Sequence, residues 1–209
     1  NVNSHPFEVA MSATHAINNA LIVTAHPVDN SLSHALAARI AGKLREQGTQ
    51  VEMADLHAEG FNPAMSRADL DLYHGDPSAL SEDILREQQR VERADMLVFV
   101  FPVYWWSVPG LLKGWFDRVL TLNWAYKVAE DGRIVGNLRD VPVRLIATAG
   151  SDLNGFDKHG YSTAIQTQIV EGIFGFCGLK NVKLDILYQA DTAMPEQVEE
   201  VLKGLEGLK

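Results

Sequence analysis

The chain has 209 residues, enough for one domain with a full core, and its 46% apolar and 22% charged residues are those of a soluble globular protein. A net charge of −9 argues against unspecific nucleic-acid binding. A single cysteine, Cys177, leaves no intrachain disulfide within these residues and fits a reducing, cytoplasmic compartment.

Residues 1–19 carry no basic segment followed by a long apolar run, so they read as a flexible extension or a cloning remnant rather than a signal peptide. A single domain is expected over residues 20–209. No apolar run approaches the roughly 20 residues that span a bilayer. Ala20 to Ala25 is a buried strand, followed by the polar loop His26–Ser33 and a helix with Leu36, Ala37, Ile40 and Leu44 on one face. Gly48 closes that helix. Gln50 to Asp55 is a second strand with Val51 and Met53 as its apolar positions. Ser66 and Asp69 have the spacing of a capping box at the start of a short helix. A polar helix runs from about Ser81 to Arg93.

Met96 to Phe101 is an uninterrupted apolar strand, the signature of a parallel sheet covered on both faces. It breaks at Pro102 into three aromatics, Tyr104, Trp105 and Trp106. A helix restarts at Ser107, which can cap it, with Pro109 in the first turn. Leu111, Leu112, Trp115, Phe116, Val119 and Leu120 give that helix an apolar face. Gly110 and Gly114 permit close packing, and Lys113 and Asp117 are spaced for a surface ion pair. A small hairpin is expected around Asp131 and Gly132. Val141 to Ala147 is a fourth strand, and Thr148 to Gly160 a long loop. Ser162 to Cys177 reads as a helix with Ile165, Ile169, Ile173 and Phe176 on one face and Gly178 as its stop. Asn181 to Tyr188 is a fifth strand. Pro195 opens a terminal helix with Val198, Val201, Leu202 and Leu205 inward. Strands alternating with helices predict an α/β doubly wound five-stranded parallel sheet in the order 2-1-3-4-5. The loops after strands one, three and four then converge at the carboxyl ends.

The first loop is neither G-x-G-x-x-G nor a P-loop, which disfavours a dinucleotide Rossmann site. His26, Asn30, Ser31 and Ser33 at a helix N-terminus suit a phosphate; plain N-capping is the equal alternative. Three consecutive aromatics cannot all face inward, so at least one of Tyr104, Trp105 and Trp106 lines a cleft. Thr148, Ala149, Gly150 and Ser151 allow backbone N–H groups to approach a ligand edge. His159 in the same loop can carry a proton beside a developing anion. His5, His15, His57 and His74 read as solvated, and no metal-ligand cluster is present. The absence of a G-x-S-x-G elbow disfavours an α/β-hydrolase.

Several segments together resemble the NAD(P)H:quinone oxidoreductase (DT-diaphorase) family of flavodoxin-like flavoproteins. They are Ala20 to Pro27, Phe61-Asn-Pro63 with Ser66 to Asp69, Glu92 to Asp95, Phe101 to Val119, Trp124 to Tyr126, Thr148 to Ser151 and Phe176 to Gly178. The resemblance spans about Ala20 to Leu205. It implies a homodimer that binds FAD, with FMN as the alternative, and passes a hydride from NAD(P)H to a quinone or other aromatic acceptor in ping-pong fashion. By motif, His26, Ser31, Leu32 and Ser33 would hold the flavin phosphates. Pro102, Val103, Tyr104, Trp105 and Trp106 would line the isoalloxazine. Thr148, Ala149, Gly150 and Ser151 would bond its heteroatom edge, with Gly150 and His159 as the catalytic pair. Three departures stand out: Ala149 in place of a second Thr or Gly, Tyr104 where glutamine is frequent, and no hydroxyl aromatic between Leu153 and Phe156. Relatives that mainly regulate a potassium-efflux system define the competing class, with a membrane protein as partner. An electron-carrier flavodoxin is disfavoured by the absence of a T-x-T-G-N-T loop.

Overall fold

The computed structural model describes residues 16–205. His5, His15 and most of the expected extension lie outside them. Five parallel strands form one sheet in the order β2-β1-β3-β6-β7. These are β1 (Asn19–Thr24), β2 (Gln50–Asp55), β3 (Met96–Pro102), β6 (Val143–Thr148) and β7 (Val182–Leu187). The order is the expected 2-1-3-4-5, with the reversal of winding between β1 and β3. A separate two-stranded hairpin, β4 (Tyr126–Val128) and β5 (Ile134–Gly136), forms around Asp131 and Gly132 as expected.

All seven residues of β3 are buried. Leu97, Phe99 and Phe101 enter one core with α3 (Glu82–Arg93), α4 (Gly110–Val119) and the segment before β7. Met96, Val98 and Val100 enter the other, with α1 (Leu32–Glu46) and α7 (Pro195–Lys203). This alternation follows from the period-2 geometry of a strand. Phe99 centres the first core, with its ring 5.6 Å from Trp115, 5.7 Å from Phe116 and 5.3 Å from Phe174. β2 departs from expectation: as an edge strand it buries Ala54 and leaves Met53 exposed.

The start of α4 also differs. Pro109 occupies the cap position and the helix begins at Gly110. Ser107 lies two residues before the cap, where its N–H and carbonyl are exchanged with Tyr104 at 3.2 and 3.0 Å. Gly114 does permit close packing, since a Cβ there would run into Pro63, whereas one on Gly110 would meet nothing. Lys113 and Asp117 form the expected ion pair at 2.6 Å. The Thr148–Gly160 segment contains a short helix, α5 (Leu153–Lys158), capped by Asp152. The following helix is α only over α6 (Tyr161–Ile165) and winds as a π-helix from Gln166 to Gly175. The wider winding moves the buried face to Ile165, Ile169, Val170 and Phe174, leaving Phe176 exposed.

Arg118 ties the connections to α4. It is buried, donates to Asp69 at 3.0 Å, to the Asn62 carbonyl at 2.8 Å and to Asp83 at 3.0 Å, and lies over the Phe61 ring. Asp69 also completes the expected capping box with Ser66 on α2 (Arg67–Tyr73). Burial works against its charge, but the Ser66 N–H and hydroxyl and the Arg118 guanidinium outweigh it. The carboxyl therefore sits below its ordinary range.

Gly114→Ala should destabilise the fold by about 1–3 kcal/mol through overpacking, read from the denaturant midpoint. Arg118→Met should cost about 3–5 kcal/mol at neutral pH, because it strands a buried carboxylate. The lowered Asp69 pKa makes this contribution present above the ordinary carboxylate range and lost as pH falls through the folded value. The penalty of the Arg118 variant should shrink in acid; a constant penalty would show that the ion pairing is not its source.

Candidate functional site

The carboxyl ends of β3 and β6 are held level by the pairing of Pro102 with Thr148. The Val103 N–H then donates to the Thr148 carbonyl at 2.7 Å, so the chains leave the sheet side by side. Tyr104 and Ser107 next bridge each other across Trp105 and Trp106. Both tryptophans have positive φ, 50° and 63°. A tight turn of this kind needs Asn or Gly at both central positions, so two indoles there hold strain. Trp105 is 92% exposed, and no burial compensates its backbone.

Trp106 is anchored. Its ring stacks on Tyr161 at 4.0 Å and 9° and meets the edge of buried Phe156 at 5.5 Å. Tyr161 in turn lies 5.5 Å from the His159 ring. Opposite the indoles, Ala149 and Ser151 give their carbonyls to the N–H groups of Ala190 and Gln189. Gly150 is exposed, and a Cβ on it would meet open space. Val103, Trp105, Trp106, Ala149, Gly150, Ser151 and Phe156 together line a shelf of about 180 Å³. That is below the roughly 300–1,000 Å³ of enclosed ligand pockets, as befits a surface open on one side.

A larger cavity of about 360 Å³ lies at the other end of the sheet, against Asn19, Val51, Arg90 and Arg93. Its arginines are already committed to Glu52, Glu59 and Glu87. Ligands of open α/β sheets bind at the carboxyl ends, so the smaller shelf is the candidate site.

The structure thus brings Val103, Trp105, Trp106, Ala149, Gly150 and Ser151 together. Pro102 and Thr148 are buried beneath them as strand ends, and Tyr104 is half-exposed at the base of the turn. His159 is exposed at the end of α5 and joins the shelf through Tyr161. His26, Ser31, Leu32 and Ser33 do not line the shelf; His26 and Ser31 stand on the neighbouring loop after β1, and Leu32 and Ser33 on the first turn of α1. Ser31 caps α1, as the plain reading had it, accepting from the His34 N–H at 3.3 Å. The Ser33 hydroxyl, on a residue 1% exposed, has no hydrogen-bond partner. Sequence reasoning missed Phe156, Tyr161, His34 and Asp55. His34 bonds Ser31 at 2.8 Å and Asp55 at 2.8 Å.

The sequence profile described as a flavodoxin-like fold matches residues 18–207. The chain belongs to this family. It is 32% identical over 209 residues to NAD(P)H dehydrogenase [quinone] 1 of Rattus norvegicus, covering 90% of this chain and 75% of that protein. It is 31% identical over 198 residues to the ribosyldihydronicotinamide dehydrogenase [quinone] of Mus musculus, covering 85% and 84%. Among solved structures it is similar to an NAD(P)H:quinone oxidoreductase from Methanothermobacter marburgensis. That match has a TM-score of 0.78 and 28% identity, over 90% of this chain and 95% of that one. The relatives of this flavodoxin-like protein therefore carry the quinone oxidoreductase name to which its motifs point.

Replacing Trp105 by glycine should not lower fold stability and should raise it by up to about 1 kcal/mol, because left-handed strain is relieved without loss of packing. Any measurable loss in thermal unfolding would show that the indole packs on the fold.

Proposed function

We propose that this protein is a flavin-dependent NAD(P)H dehydrogenase (quinone) that transfers a hydride from NAD(P)H to quinone-like aromatic acceptors. The observation that carries the reading is the shelf itself. A strained aromatic turn faces a small-residue backbone edge at the switch end of a flavodoxin-like sheet. Two features fit a flavin. The buried Ser33 hydroxyl lacks a partner on the first turn of α1, where an anion is favoured. The space over Gly150 is free of atoms that would block a ring edge.

When bound, a flavin would supply the two-electron chemistry that links NAD(P)H to the acceptor. The chain's own residues divide the remaining work. His26, Ser31, Leu32 and Ser33 hold the phosphates. Pro102 to Trp106 seat one side of the ring, and Thr148 to Ser151 present polar backbone to its heteroatom edge. His159 carries the proton that balances negative charge developing there. Tyr161 keeps the imidazole close to Trp106 and supplies the hydroxyl aromatic that Leu153 to Phe156 lack. A second copy of the chain covers the open side of the shelf, which gives exposed Trp105 a surface to meet. Among the described residues no helix is long and apolar enough to cross a membrane. The single cysteine supports placing the enzyme in the reducing cytoplasm.

FAD is the proposed flavin, because the loop after β1 lacks the flavodoxin monophosphate pattern. Purified protein should show flavin absorption bands that bleach anaerobically with NADH or NADPH, and heat should release a chromophore with the mass of FAD. A colourless protein that takes up neither FAD nor FMN would end the oxidoreductase reading. In the holoenzyme, His159→Gln should slow reductive bleaching by ~10²–10⁴-fold; an unchanged rate would remove His159 from the reaction.

A further inference from the structure

The first turn of α1 carries a hydrogen-bonded relay that the shelf does not use. Asp55, the last residue of β2, accepts at Oδ1 from the N–H groups of His57 and Ala58, each at 3.1 Å. Its Oδ2 lies 2.8 Å from His34 Nε2. The other nitrogen of that ring, Nδ1, lies 2.8 Å from Ser31 Oγ. One residue inside the helix from Leu32 is the buried, unpartnered hydroxyl of Ser33.

The proton inventory of the relay decides what the helix start can offer an anion. Burial pushes the Asp55 carboxyl up, but the Ala58 N–H, the His34 ring and the His57 N–H outweigh it and hold it below its ordinary range. Asp55 is therefore an acceptor only, and His34 Nε2 must carry a hydrogen. In a neutral ring Nδ1 is then an acceptor. It takes the Ser31 hydroxyl hydrogen, and Ser31 presents only lone pairs outward. In a protonated ring Nδ1–H donates to Ser31 Oγ instead, and the Ser31 hydrogen is free to turn outward. One proton thus converts the first turn from an acceptor surface into a donor surface and adds a positive charge beside it.

We propose that His34 is the positioning residue of the flavin-phosphate cradle, and that binding the cofactor diphosphate there takes up one proton at His34. This inference rests on the assignment of the His26–Ser33 loop to the phosphates. The ionisable groups against His34 are Asp55 from β2 and His26 from the loop after β1, whose ring centroid is 6.2 Å away. β3 meets α1 through apolar Met96, Val98 and Val100. α7 meets it further along, where Glu199 pairs with Arg39 and Lys43.

The test is the affinity of the apoprotein for FAD by fluorescence titration from about pH 5 to about pH 9, the span in which histidine switches charge. FAD is the right probe, because its diphosphate keeps its charge throughout, whereas the FMN phosphate titrates near ~6. Riboflavin, which has no phosphate, is the control. Wild type should lose FAD affinity by about tenfold per pH unit once His34 deprotonates, since one bound proton is linked to one bound ligand. His34→Gln should bind FAD weakly and with a flat pH profile, and its riboflavin affinity should match wild type, which shows that it is folded. His26→Gln should keep the slope. Asp55→Asn should move the fall to lower pH, because the imidazolium loses its counter-charge. A flat wild-type profile, an unchanged slope in His34→Gln, or the same slope with riboflavin would each overturn the proposal while leaving the flavoenzyme reading intact. Failure to bind any flavin at any pH would overturn that reading itself, and the proposal with it.

Discussion

The burial of β3 on both faces is the constraint from which the rest of this structure follows. A strand with apolar cores above and below it has no room for a polar side chain along its length. Its neighbours β1 and β6 are buried almost throughout, and Arg144, near the amino end of β6, is the one charged side chain on these three strands. Polar function is pushed to where the strands end. Because β1, β3 and β6 are parallel and in register, their carboxyl ends fall at one edge, and the loops that leave them become neighbours. The location of the shelf is thus a consequence of packing, settled before any ligand is considered.

The same rigidity explains how the Trp105–Trp106 turn persists. Two indoles in left-handed backbone are unstable in isolation, and such strain survives only where the surroundings over-determine it. Here Val103 is bonded to the end of β6, Tyr104 and Ser107 close the turn, and Trp106 is stacked on Tyr161. Beneath them α4 is locked by Arg118 to Asp69, Asp83 and the Asn62 carbonyl. Those ion pairs belong to the architecture, though their cost and gain are large enough to matter for stability. They fix the helix whose preceding loop carries the strained turn.

Much of this was legible in the sequence because it depends on local pattern. The run from Met96 to Phe101, the Ser66–Asp69 box and the apolar face of α4 are short-range signals, and the strand order followed from their alternation. What was not legible depends on tertiary partners. Ser107 has the right residue type for a cap, but it lies two residues before the cap, bridged to Tyr104. Ile173 and Phe176 fit an α-helical face that the π-helical winding displaced toward Val170 and Phe174. Met53 fits an alternating strand and lies exposed because β2 is an edge. Within the candidate site, the aromatic turn and the Ala149–Ser151 edge were visible as composition. Tyr161 was not, because stacking on Trp106 is a contact across 55 positions of chain that no periodicity marks.

The His34–Asp55 pair shows why the proposed phosphate half of the site escapes a linear reading. Neither residue belongs to a motif, and they are 21 positions apart. What unites them is the β-α-β crossover: α1 begins where β1 ends, and parallel pairing brings the end of β2 to the same level. The first turn of α1 therefore lies beside the carboxyl end of β2, and His34 is the residue on it whose side chain bonds Asp55. A histidine at one position and an aspartate at the other must meet, in a place where the helix start favours an anion. In the proposed function the two halves of this edge take separate tasks. Flat aromatic and backbone surfaces stand after β3 and β6, and a charge-managing relay stands after β1 and β2. The winding reverses between them, the place where open α/β sheets hold their ligands.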